Sequence, residues 1–205
     1  MGNESENLVD PVGGDRGRAA IAGHSGDEPT ARALLTSTEP AVRATALGAL
    51  ARMGRLTDDD VNAALTDGSA VVRHRAVALA RDRPAVPIVP VLADGEAVVV
   101  EQAAWACGER QPTEPGAVAT LSKLAVEHDD ALVREAAVAA LGAIGDPAGL
   151  TAILQATTDK PAVRRRAVLA LAPFSGPDVD DALQRALADR DWQVRQAAED
   201  LLPRS

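Results

Sequence analysis

The chain has 205 residues, of which 46% are apolar and 25% charged, with a formal net charge of −9. That length suits one domain or two small ones, and the acidic balance argues against nucleic acid, whose phosphates require a basic surface. Aromatic residues make up only 1% and alanine roughly a fifth, which excludes aromatic-rich β-sandwiches and barrels and favours closely packed helices. The single Cys107 excludes an internal disulfide and a multi-cysteine zinc cage. No charged-then-apolar leader opens the chain and no apolar run of about 18 residues occurs, so the expectation is a cytoplasmic protein that does not enter a membrane.

In chain order, residues 1–14 carry isolated hydrophobes among Gly, Asn, Glu and Ser and read as a disordered tail. A degenerate helix is predicted near 15–24. Beyond it one pattern recurs, anchored on Val42, Val72, Val99, Val133, Val163 and Val194, with spacings of 30, 27, 34, 30 and 31 residues. A period near 30 with drifting length marks a solenoid of helix pairs whose insertions fall in turns. Counted from each valine as zero, positions +4, +7 and +8 are small or aliphatic, and all four positions share one face of a helix. Second helices are predicted at about 29–36, 58–66, 84–93, 114–128, 147–157 and 177–188, several of them opened by capping chemistry such as Thr57 before three aspartates. The sequence therefore predicts an all-α fold of about six helix pairs over residues 15–205. Pro84, Pro87 and Pro90 predict a short or kinked second helix in the third pair. Position +5 reads Leu47, Val77, Ala104, Val138, Val168 and then Glu199, so residues 191–205 are expected to form a capping helix.

The unit Asp-x-x-x-Val-Arg-x-x-Ala, continued in Ala137-Val-Ala-Ala-Leu-Gly-Ala-Ile-Gly-Asp146, resembles a HEAT repeat of the kind also found in phycobilisome-lyase-type bacterial proteins. The resemblance covers about residues 27–202. It implies that the valine-bearing helices line an inner, concave surface. It also implies that the arginines at +1, Arg43, Arg73, Arg134, Arg164 and Arg195, pair with turn acids, for which Asp67, Asp130, Asp159 and Asp191 are the candidates. Val100 replaces the arginine in the third repeat and leaves a gap in this ladder.

Positions +2, +6 and +9 point away from the core face. They carry a mixed-charge stripe of His74, Arg81, Glu101, Glu135 and Arg165 around one large aromatic, Trp105. Trp105 reads either as a binding anchor or as a space-filler against a neighbouring helix. Trp192 reads as structural. No two histidines lie three or four apart, and neither a His-Glu pair, a nucleophile elbow nor a phosphate loop occurs, so no catalytic, metal or cofactor site is predicted. Cys107, on the core face, reads as a small buried residue.

The function expected is a non-catalytic scaffold that grips a protein or peptide through the concave face, as a monomer or within a hetero-complex. The alternative that the resemblance implies is a bilin- or tetrapyrrole-lyase-type subunit acting with a second chain. The register makes one prediction about stability. Leu141→Ala will destabilise the fold by about 2–5 kcal/mol in urea unfolding if Leu141 faces the core, and far less if the register is wrong.

Overall fold

The computed structural model describes residues 11–202, which contain α-helices, 3-10 turns and no strand. The α-helices are α1 (Pro11–Ser25), α2 (Glu28–Leu34), α3 (Pro40–Arg52), α4 (Asp58–Leu65), α5 (Ala70–Ala80), α6 (Ala97–Glu109), α7 (Ala117–Glu127), α8 (Ala131–Ile144), α9 (Leu150–Ala156), α10 (Pro161–Ala170), α11 (Pro177–Leu187) and α12 (Trp192–Leu201). The fold class is an all-α solenoid of helix pairs. Its contacts group into two compact units, residues 1–79 and 80–205, divided at the C-terminal end of α5. Helix α1 begins at Pro11, inside the predicted tail of 1–14. The remainder of that tail, residues 1–10, and residues 203–205 of the predicted cap lie outside the described residues.

Local chemistry fixes the helix ends. Thr57 opens α4 with a reciprocal cap: the Asp60 N–H donates to Thr57 Oγ1 at 3.1 Å, and the Thr57 N–H donates to the Asp60 carboxylate at 2.9 Å. Helix α8 stops at Gly145, which adopts φ 68° and donates its N–H to the Leu141 carbonyl at 3.0 Å.

In the first unit Ala19, Leu34, Val42 and Ala46 form a buried cluster, with Leu35 packed against it. In the second, α6 packs on α8, α8 on α10 and α10 on α12. The anchoring valines and the alanines at +4 are buried throughout, as is Leu141. Position +5 is buried from Leu47 to Val168, whereas Glu199 and Asp200 on α12 face solvent.

Small residues set the spacing between successive valine-bearing helices. A methyl group added at Gly108 of α6 would lie 2.9 Å from Ala140 Cα on α8, and one at Gly142 of α8 would lie 2.7 Å from Ala170 Cα on α10. The first unit repeats the contact, with Gly23 of α1 against Ala49 Cα of α3 at 2.9 Å. Only hydrogen in place of Cβ allows these backbones to approach so closely.

Arginine forks join α3, α8 and α10 each to the turn that follows the next helix in the chain. Arg43 holds Asp67 with two bonds of 2.7 and 2.8 Å, Arg134 holds Asp159 at 2.6 and 2.8 Å, and Arg164 holds Asp189 at 2.8 and 2.9 Å. Each fork also donates to a backbone carbonyl of the turn before its own helix: Ser37, His128 and Asp159 respectively. Arg73 and Arg195 make the equivalent carbonyl contacts, to Asp67 at 2.9 Å and Asp189 at 2.7 Å. Hydrogen bonds from these guanidinium groups hold the Asp67, Asp159 and Asp189 carboxyls below the usual carboxylate range.

Two ladder acids are corrected. Asp130 and Asp191 do not receive an arginine fork. Each stands three residues before its valine, at the N-cap, and accepts the N–H of Leu132 or Gln193 at 2.8 and 2.9 Å. The acids that receive the forks stand four or five residues before the valine, where the turn presents them to the preceding valine-bearing helix.

The third repeat departs furthest. Its proline-rich segment forms turns and a 3-10 helix, Val89–Ala93, in place of the second α-helix. Proline supplies no N–H and clashes with a helical backbone, so carbonyls here lack helical partners. Arg110, only 3% exposed, supplies them: it donates to the carbonyls of Ala80, Arg81, Arg83 and Val86 at 2.5–3.4 Å. Arg110 also bonds Glu114 at 2.8 Å, and Glu114 in turn accepts the N–H groups of Ile88 and Val89 at 2.9–3.2 Å. This clamp stands in the repeat where Val100, buried, takes the place of the ladder arginine. Arg110→Ala will lower stability by about 3–5 kcal/mol, because it leaves the Glu114 carboxylate without its cation and the Arg81 and Val86 carbonyls without a donor. Arg110→Lys will recover less than half of that loss in the same urea titration, since an ammonium cannot reproduce the fork.

Candidate functional site

The stripe predicted on the valine-bearing helices divides between the two units. His74 lies half-buried on α5 in the first. The other members belong to the second, where helix periodicity sets Glu101 and Trp105 on one face of α6 and places Glu135 and Arg165 at the matching positions of α8 and α10.

Trp105 is 45% exposed, and the Arg81 guanidinium carbon lies 5.4 Å from its ring centroid. That distance lies within cation–π range, so the arginine holds one side of the indole while the rest stays open. Arg81 is itself fixed by two bonds to Asp82, at 2.8 and 3.0 Å, and these raise its pKa. Glu135 accepts a 3.4 Å bond from Arg166, its neighbour across α8 and α10. Glu101 and Arg165 are exposed and have no hydrogen bond among the described residues. Of the predicted residues, then, the structure brings Arg81 to Trp105 and gives Glu135 a different arginine.

In the second unit two apolar residues escaped the sequence reading. Val98 is 51% exposed and Leu132 is 59% exposed, each immediately before an anchoring valine. Val98 stands seven residues before Trp105, two turns along the same face. The signal was present: position −1 lies about 100° from the valine and off the apolar face, so a valine or leucine there has no core to enter. Trp192 is also corrected. It is 64% exposed at the start of α12 and does not fill a core position.

With that geometry in place, the comparisons identify the class. Residues 85–162 match HEAT repeats and residues 163–189 match the PBS lyase HEAT-like repeat. The chain is a HEAT-repeat protein, with repeats of the phycobilisome-lyase type among them. No curated protein sequence matches it significantly.

Solved structures share the fold. An engineered protein aligns at TM-score 0.59 and 20% identity over 98% of this chain, which spans 65% of that protein's length. The Escherichia coli protein YibA aligns at TM-score 0.61 and 17% identity, covering 97% of this chain and 75% of YibA. A designed armadillo repeat protein in complex with the peptide (KR)4 aligns at TM-score 0.50 and 17% identity, covering 97% and 94%.

Among the described residues no three His, Cys, Asp or Glu side chains converge to hold a metal ion, and no helix is long and apolar enough to cross a membrane. Cys107 is buried on α6. Burial first, and then the Glu114 carboxylate, push its thiol up to about 12, against a smaller opposing effect of Arg110. A thiol so protonated and enclosed is a poor nucleophile. At pH 8 the native protein will therefore resist alkylation by iodoacetamide for hours, while the urea-unfolded chain will react within minutes, as read by intact mass.

Proposed function

We propose that this HEAT-repeat protein is a non-catalytic scaffold that binds a protein or peptide partner through the open face of its valine-bearing helices. The observation that carries the proposal is the exposed row of Val98, Trp105 and Leu132 on α6 and α8. Large apolar side chains left open on one face, with charged residues at the edge, are the composition of a binding surface. Glu101, Glu135 and Arg165 supply that edge, Arg81 steadies the indole, and His74 stands at the corresponding position of α5 in the first unit. The peptide complex of the designed armadillo repeat protein supports this mode of recognition for helix-pair repeats. The protein acts in the cytoplasm, alone or as one subunit of a hetero-complex, and needs no metal or cofactor.

A second reading has the PBS lyase HEAT-like match in its favour. In it the chain is one subunit of a bilin- or tetrapyrrole-lyase-type pair.

The test is affinity capture from native lysate with the wild-type chain and Trp105→Ala, with bound proteins identified by mass spectrometry. A partner held by wild type and lost by a variant of unchanged circular dichroism and melting supports the scaffold. Equal capture by both removes Trp105 from the interface. A tetrapyrrole that co-purifies and changes its absorbance on the protein favours the second reading.

A further inference from the structure

Within the first unit, α1, α3 and α5 enclose an open groove of about 300 Å³. Small residues form much of its floor, Ala20, Ala41, Ala44 and Gly48 among them, and Val71 closes one side. Three arginines line it, one from each helix: Arg16, Arg52 and Arg75. All three are exposed, and among the described residues none of them makes a hydrogen bond or an ion pair. This sets them apart from the ladder arginines, whose forks are filled, and it occurs in a chain whose net charge is −9.

Gly48 has a role in this arrangement. The Arg75 guanidinium lies directly over it, in the space that a Cβ would take. The absent side chain thus seats a cationic group against the floor of the groove.

We infer that this groove is a docking site for an acidic peptide segment of a partner protein. The argument is charge complementarity and length. Guanidinium groups pair with carboxylates by parallel hydrogen bonds, and three of them without an internal acid present that capacity to a ligand. Along α3 the lining runs from Ala41 to Arg52, about 16 Å at the helical rise per residue. That matches about five residues of extended chain, and the small-residue floor lets a backbone lie close. The inference does not rest on Trp105, which belongs to the other unit.

The experiment is calorimetric titration of the full chain with hexaglutamate, compared with hexalysine and inorganic phosphate. Wild type binds hexaglutamate and not hexalysine, and the affinity falls with added salt. Arg52→Gln combined with Arg75→Gln weakens binding by about tenfold or more, each tenfold being a loss of about 1.4 kcal/mol. Gly48→Ala, which keeps every charge but displaces the Arg75 guanidinium, also weakens it. Arg185→Gln, which removes one positive charge at an exposed position of α11 in the second unit, leaves it unchanged. Circular dichroism and melting establish that each variant is folded. Equal binding by wild type and the double variant overturns the assignment, and so does equal weakening by Arg185→Gln. Full displacement of hexaglutamate by phosphate at equal concentration would make this a small-anion site and overturns the peptide.

Discussion

The constraint on which the rest of this structure depends is how near one valine-bearing helix comes to the next. Gly108 against Ala140, Gly142 against Ala170 and Gly23 against Ala49 bring backbones to distances at which a Cβ on the glycine would collide. Close approach lets alanine, valine and leucine fill the interior at ordinary packing density. The same economy of volume has an outward consequence. An indole has no room between such helices, so Trp105 and Trp192 stand at the surface.

A thin apolar core leaves the turns to be fixed by polar bonds. Each ladder arginine that forks to an acid joins one repeat's helix to the next turn and reaches a carbonyl of its own turn, so two junctions share one cation. In the proline-rich third repeat the same chemistry comes from a different place, Arg110 with Glu114 at the far end of α6. Two groups stand out among the arginines. Those at junctions are occupied within the fold. Arg16, Arg52, Arg75 and Arg165, on the open faces, have no hydrogen bond among the described residues and remain available to a ligand.

The repeat was legible because it rests on a periodicity that sequence displays directly: a valine with small residues at +4, +7 and +8, recurring every 30 residues or so. The burial of Leu141 and the exposure of Glu199 follow from the same register. The ladder was legible only by halves. Position +1 fixed the arginines, but the acids lie in turns of unequal length, and counting back from the valine assigned Asp191 where Asp189 receives the fork. Arg110 carried no periodic signal, since its partners are the carbonyls of a segment about 25–30 residues away.

The open surfaces divide in the same way. Periodicity placed Trp105 off the core face, and the same count places Val98 and Leu132 there, although the sequence reading did not single them out. Nothing local marked Arg16, Arg52 and Arg75 as neighbours, because they come from three helices and meet only through helix packing. The sequence by itself determined the repeat, its helix faces and its small-residue core, since these depend on spacing within one helix. Only the tertiary structure decided which arginines are satisfied and which remain open, because that depends on turn lengths and on which chain segments packing brings together.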